Sequence, residues 1–193
     1  MLNDVKHRKG KIFIISGPSG SGKTTLYKKL LAEDKDLVKS VSVTTRVKRP
    51  GEKHGRDYIF MTPKMFQYKV RAGHFVEHEK VFGNYYGTPK KSIRDLQRTG
   101  KDVLLCIDVK GARAVCRKFP KAVTIFVKAH SLDELKRRLE QRGSEGQKII
   151  QERLNRAKSE LAQAKHYQYT IINNDRHKSF MKLKKIIQKE AGQ

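Results

Sequence analysis

The chain places one strong constellation near its start. Gly17-Pro18-Ser19-Gly20-Ser21-Gly22-Lys23-Thr24 fills every fixed position of the pattern G-x-x-x-x-G-K-[ST]. Such a turn aims backbone N–H groups and the positive end of the following helix at an anion. Lys23 brings a mobile charge suited to β- and γ-phosphates, the Thr24 hydroxyl is a hard oxygen ligand for Mg2+, and Thr25 continues into the helix. The chemistry implied is the binding of a nucleoside triphosphate.

That chemistry needs a strand before the turn and a helix after it. Lys11-Ile12-Phe13-Ile14-Ile15 is a short apolar run of buried-strand type, and Leu26, Leu30 and Leu31 share one helical face. Further on, apolar runs alternate with helical patterns, which predicts an α/β fold with a parallel sheet. Its five core strands are expected at Lys11–Ser16, Ser40–Thr44, Val103–Ile107, Ala122–Val127 and Tyr169–Ile172. Ser131-Leu132-Asp133-Glu134 reads as a capping box opening a helix with Leu135 and Leu139 on its apolar face. Ile150, Leu154, Ala157, Leu161 and Ala164 mark the next helix, and Phe180, Leu183, Ile186 and Ile187 the last.

One stretch breaks this rhythm. From Arg46 to about Thr88 the pattern is short, polar and aromatic, with strands expected at Tyr58–Met61 and Phe75–Val81. A helix with Pro63 near its start and Gly73 after its end separates them. This reads as a small α+β lobe, the place for an acceptor substrate. Its Arg46 and Arg49, near tyrosine hydroxyls, suit a phosphate monoester, since planar forks and phenols complement phosphate oxygens. A solvated basic loop is the alternative reading of those two arginines.

Composition sets bounds. A chain of 193 residues suggests one domain. No apolar run approaches the ~20 residues of a membrane span, and the basic start has no apolar stretch of secretory type behind it. Cys106 and Cys116 lack paired metal-ligand spacing, and Cys106 is expected as a buried thiol, in keeping with a reducing cytoplasm. Lys and Arg total 44 against 19 Asp and Glu, a net charge of +25. Such a chain attracts polyanions, but its basic residues spread over many solvated faces. No RNA-binding fingerprint, zinc finger or basic zipper is present. Nonspecific polyanion binding is therefore expected, and a specific nucleic-acid partner is not.

Three further stretches narrow the class. They are Ser42–Phe60 (SVTTRVKRPGEKHGRDYIF), Phe75–Thr88 (FVEHEKVFGNYYGT) and Ile107–Ala112 (IDVKGA), in that order after the phosphate loop. Together they closely resemble the guanylate kinase family of nucleoside monophosphate kinases, from about Gly10 to the C-terminus. The resemblance implies a three-layer fold on a five-stranded parallel core sheet (about 10–45 and 89–193). It also implies a GMP-binding lobe (about 46–88) and a helical lid (about 137–156). It implies ATP as phosphoryl donor, Mg2+ as cofactor and GMP or dGMP as acceptor, in a cytoplasmic monomer or homodimer.

By the same resemblance, Arg46, Arg49, Tyr58 and Tyr86 would hold the GMP phosphate and Glu52 would orient the arginines. Ser42, Glu77, Thr88 and Asp108 would meet the guanine. Chemistry supports Glu77 independently: guanine offers N1–H and the N2 amino group side by side, and a carboxylate accepts both, whereas adenine would leave it unpaired. Arg138, Arg142 and Arg153 match lid arginines that stabilise the transferring phosphoryl group, and Asn173 matches a position near adenine. The chain departs from the family at Cys106, where an acidic residue usually helps position Mg2+. A thiol is a poor Mg2+ ligand, which shifts metal positioning to Thr24, Asp108 and the ATP phosphates.

The reaction implied is direct in-line transfer from ATP to an ionised phosphate oxygen of GMP. It needs no general base and relies on positioning and on the cationic groups. A non-catalytic interaction module on the same fold would have lost Lys23 or the acceptor residues, and both sets are present. A nucleic-acid-binding protein on a kinase fold would be prompted only by the charge.

Overall fold

The structure, a computed structural model, describes residues 9–141 and 146–192. Strand β1 (Ile12–Ser16) is buried at every position, as befits a strand whose branched apolar side chains face both layers of a covered sheet. The phosphate loop follows it, then helix α1 (Lys23–Glu33) and strand β2 (Leu37–Lys39). Strands β3 (Val43–Thr44) and β4 (Ile59–Phe60) come next. Helix α2 (Pro63–Arg71) starts on a Thr62 cap that accepts from Met65 N–H, with proline in the first turn where its missing donor costs nothing.

The chain continues through β5 (Phe75–Val81), β6 (Asn84–Pro89), α3 (Lys90–Arg98), β7 (Asp102–Cys106) and α4 (Val109–Lys118). Then come β8 (Val123–Lys128), α5 (Leu132–Glu140), α6 (Gln147–Ala162), a 3-10 turn at Gln163–His166, β9 (Tyr169–Ile172) and α7 (Arg176–Ala191).

Five strands form the expected parallel sheet in the order β2-β7-β1-β8-β9. Its registers pair Leu37 with Asp102, Phe13 with Val123 and Ile125 with Tyr169. The remaining four form a second sheet, β4-β3-β6-β5, with β3 antiparallel to β6 and β6 to β5. By contact density the chain divides into two units. One contains Asp36–Leu105 and Arg113–Ala122. The other contains Phe13–Lys35, Cys106–Ala112 and the chain from Val123 onward.

One expected strand is corrected. Ser40–Thr44 was assigned to the core sheet, but the core strand is Leu37–Lys39, and Val43–Thr44 belongs to the second sheet. Both pieces have strand-type composition, and the change of sheet occurs at the serines between them. Ser40 still donates its N–H to the Leu104 carbonyl at 3.0 Å, while Ser42 already offers its carbonyl to Ile59 N–H at 2.9 Å. Strand β6 and helices α3 and α4 are not anticipated by the sequence pattern. β6 lies inside a stretch read for its motif, and α3 is polar on most of its surface, with Ile93 and Gln97 buried.

Each unit has its own packing. The second sheet closes over Val43, Phe66 and Phe75, with Phe66 stacked on Phe75 at 4.8 Å and on Tyr85 at 5.3 Å between centroids. In the other unit α5 and α6 pack through Leu135, Leu139, Ile150, Leu154 and Ala157. Ser131 caps α5, accepting from Glu134 N–H at 3.1 Å as the capping-box reading requires, a contact typically worth about 1 kcal/mol. Among the described residues no helix is long and apolar enough to cross a membrane.

Candidate active site

The phosphate loop is built by backbone conformation. Gly17 and Gly22 hold φ angles of 137° and 92°, and a Cβ on either would collide: at 2.0 Å from the Val127 carbonyl oxygen for Gly17, and at 2.1 Å from Asn173 Nδ2 for Gly22. Ser21 N–H closes a turn onto the Pro18 carbonyl at 3.2 Å. Lys23 Nζ donates to the carbonyls of Gly17 at 2.6 Å and Pro18 at 2.8 Å, which holds the ammonium at the loop. Thr24 and Thr25 are exposed on the first turn of α1.

Asn173 lies at the end of β9, buried, and donates from Nδ2 to the Ser21 carbonyl at 2.8 Å. It therefore braces the loop. Its Oδ1 is buried with no hydrogen-bond partner among the described residues, an acceptor beside the triphosphate motif. Two of the arginines assigned to the lid come to the same region. Arg153 donates to Ser19 Oγ at 2.6 Å. Arg138 donates to the Asn173 carbonyl at 2.7 Å and to Glu134 at 2.5 Å. Arg142 lies outside the described residues.

Of the residues assigned to the acceptor, Ser42, Arg46, Arg49, Glu52, Tyr58, Glu77, Tyr86 and Thr88 lie in the other unit, where bracing is done by side chains; Asp108 lies in the unit of the phosphate loop. Arg46 NH2 meets both oxygens of Glu52, at 2.8 and 3.0 Å, and Glu52 Oε2 also accepts from Arg49 N–H at 2.9 Å. Burial would push the Glu52 carboxyl up, but the Arg46 hydrogen bond, the Arg49 N–H and both charges outweigh it, and the group is held below the ordinary glutamate value. Arg46 moves the other way: burial alone would lower it, while Glu52 and Tyr86 raise it beyond the ordinary arginine value.

Tyr58 and Tyr86 stand edge to face at 6.1 Å, and the Arg46 guanidinium lies 5.6 Å from the Tyr58 ring. On the neighbouring ladder Glu77 pairs with Thr88, whose hydroxyl donates to Glu77 Oε1 at 2.5 Å; both are buried, as is Ser42. A carboxylate has about four lone-pair directions, so Glu77 can accept N–H donors beside the Thr88 hydroxyl.

Asp108 follows β7. Its Oδ1 accepts from Gly111 N–H at 2.8 Å, capping α4, and its Oδ2 accepts from Arg156 at 2.8 Å. Arg156 also reaches Glu160 at 2.8 Å. Burial pushes the Glu160 carboxyl up, partly offset by Arg156 and Lys23. Motif reading missed Arg156 and Glu160, and it read Glu134 as a helix cap without its pairing to Arg138. The i,i+4 spacings of Arg156 with Glu160 and Glu134 with Arg138 signal helical ion pairs, but nothing local announces the bond from Arg156 to Asp108, 48 positions away.

The triphosphate-motif loop with its lysine thus lies in one unit, and the lobe with its braced arginine and buried carboxylate in the other. The guanylate kinase family model matches residues 9–190. The chain belongs to the guanylate kinase family. It is 45% identical over 189 residues to a guanylate kinase of Novosphingobium aromaticivorans, covering 97% of this chain and 86% of that one. With a guanylate kinase of Nitrosospira multiformis it shares 46% over 181 residues, covering 94% and 86%.

The crystal structure of guanylate kinase from Anaplasma phagocytophilum superposes with a TM-score of 0.79 at 34% identity, over 95% of this chain and 87% of that one. Membership makes the chain a nucleoside monophosphate kinase, a phosphotransferase on an α/β fold. The family assignment, the parallel sheet and the kinase class expected from sequence are thereby borne out.

Mg2+ fits the residues present in a restricted way. Among the described residues no cluster of three His, Cys, Asp or Glu side chains could hold a metal. Thr24 offers one exposed hydroxyl, Cys106 offers a thiol, and both Asp108 oxygens already have protein partners. A sparse oxygen set suits an ion that keeps its waters and is carried largely by substrate phosphates.

Proposed function

We propose that this chain transfers the γ-phosphoryl group of ATP to GMP, and to dGMP, giving ADP and GDP or dGDP, as a cytoplasmic enzyme of purine nucleotide metabolism. The observation that carries the reading is the acceptor lobe, where a braced cation just after β3 and a buried carboxylate on β5 belong to one unit. Arg46, fixed by Glu52, suits a monoester phosphate, and Glu77, paired with Thr88, suits the adjacent N–H donors of guanine.

Arg49, Tyr58 and Tyr86 complete the phosphate cradle, and Ser42 and Asp108 add contacts to the base. On the donor side Gly17, Pro18, Ser19, Gly20, Ser21, Gly22, Thr24 and Thr25 wrap the ATP phosphates while Asn173 stands near the adenine. Lys23, Arg46, Arg138, Arg142 and Arg153 stabilise negative charge on the group in transfer. Thr24, and Asp108 indirectly, would hold Mg2+, which would supply further charge neutralisation. The acceptor phosphate is largely ionised near neutral pH, so no side chain need remove a proton. Position and cationic charge carry the rate.

The test is a coupled ADP-release assay with GMP, dGMP, AMP, CMP and UMP as acceptors. Turnover confined to GMP and dGMP is expected. Equal turnover with AMP would remove Glu77 as the base reader.

A further inference from the structure

Arg156 sits on α6 between two carboxylates, and none of the motifs read above includes it. One arm of its guanidinium meets Asp108 Oδ2 at 2.8 Å, and Nε meets Glu160 Oε1 at 2.8 Å. Glu160 is only 6% exposed, one turn farther along the helix, so the fork is fixed at its root by a buried anion. Asp108 is in turn fixed at its other oxygen by Gly111 N–H.

We propose that Arg156 is a positioning residue that holds Asp108 in the orientation that accepts from the acceptor base, with Glu160 as the anchor that holds Arg156. The proposal rests on the reading of Asp108 as a base contact.

The chemistry favours this arrangement. A carboxylate has about four lone-pair directions, and the helix cap and Arg156 take one on each oxygen, which leaves acceptor capacity for neutral N–H donors such as those of guanine. Without Arg156, Asp108 keeps one bond and gains freedom to rotate about χ2. Its charge is also left less compensated in a half-buried place. Only a planar fork spans both carboxylates, since a lysine ammonium is a single point charge. Arg156 touches no reacting atom, so its contribution should appear in acceptor binding before it appears in the chemical step.

The experiment measures GMP binding by calorimetry and the KM of GMP and of ATP, with thermal melts, for wild type, Asp108→Asn, Arg156→Ala, Arg156→Lys, Glu160→Gln and the double variant Asp108→Asn/Arg156→Ala. Wild-type turnover of GMP reports separately on the activity itself. Expected is a weakening of GMP binding by about tenfold in Asp108→Asn and in Arg156→Ala, the scale of one charge-assisted hydrogen bond.

The ATP KM of Arg156→Ala should be unchanged, the double variant should bind GMP no more weakly than the weaker single, and Arg156→Lys should recover part of the loss. Wild-type GMP affinity in Arg156→Ala, or additive losses in the double variant, would overturn the proposal. Unaltered GMP binding in Asp108→Asn would overturn the assignment of Asp108 and the proposal with it, while leaving the kinase activity standing. Should Arg156→Ala not fold, Arg156→Lys and Glu160→Gln carry the same comparison, and parallel losses for GMP and ATP in them would reduce the bridge to scaffolding.

Discussion

The phosphate loop and the acceptor lobe are both proposed to serve phosphate groups, but they are made of different material. The loop is contiguous, and its shape comes from glycine dihedrals and from contacts of its own carbonyls with Lys23. The lobe assembles side chains from Arg46 to Thr88, each kept in place by another: Arg46 by Glu52, Glu77 by Thr88, Tyr58 against Tyr86. A backbone cradle fails when its conformation is denied. A side-chain cradle fails when a brace or a charge is removed. Substitutions in the two regions should therefore leave different signatures, conformational and donor-specific in the first, electrostatic and acceptor-specific in the second.

The largest effect is expected at Lys23, the charged side chain of the loop. Lys23→Ala should lower kcat by about 100-fold or more, the scale of removing one fixed charge from a developing anion. The melting temperature should stay near wild type, because Lys23 Nζ is anchored on loop carbonyls outside any apolar core. A folded variant with near-normal ADP release would take the loop out of the mechanism. Next comes Gly22→Ala, which puts a side chain at φ 92° and against Asn173 Nδ2. Strain of roughly 1–3 kcal/mol is expected, with a tenfold or greater rise in ATP KM. GMP affinity, measured calorimetrically without ATP, should not move; a matching loss there would erase the contrast between the regions.

That contrast also explains what could be read from the sequence. The loop was fully legible because its determinants are adjacent: a branched apolar run, three glycines, Lys23 and Thr24. The parallel core was legible for the same reason, since fully buried strands such as β1 and β8 are apolar runs. Beyond the phosphate reading of Arg46 and Arg49 and the base chemistry of Glu77, the acceptor residues take their roles from resemblance, because arginines and tyrosines on a polar stretch look the same whether solvated or braced. Ser40–Thr44 misled because register between two sheets is settled by partners far along the chain, Leu104 for Ser40 and Tyr86 for Thr44. The Arg156 bridge was invisible for a related reason. Its helical half has a spacing signature, but its other half is a tertiary contact.

Within the lobe, Glu77→Gln sharpens the comparison at the base. It keeps shape but presents an amide donor toward the donors of guanine, and Thr88 can still donate to the remaining carbonyl oxygen. GMP KM should rise about tenfold to a hundredfold, the range for one mispaired buried contact, with ATP KM unaffected. Equal effects on the two substrates would mean that Glu77 acts on the fold and not on the ligand.

The smallest effect concerns the brace itself. The Glu52 carboxyl is held below its ordinary value by Arg46 and Arg49 against the opposing pull of burial. A carboxyl depressed in the folded state contributes its stability in full above the unfolded value, and loses it as pH falls through the folded value. At neutral pH, Glu52→Gln should therefore cost about 1 kcal/mol, a few degrees of melting temperature, as for a partly screened ion pair. On acidification the wild type protonates Glu52 and approaches the variant, so the gap between their melting temperatures should close below the ordinary glutamate range. GMP KM at neutral pH should rise by a small factor, since Arg46 remains charged but loses one of its anchors. A gap that stays constant from neutral to acid pH would show that the Glu52–Arg46 pair contributes shape without charge, and the lobe would then resemble the loop more than its side chains suggest.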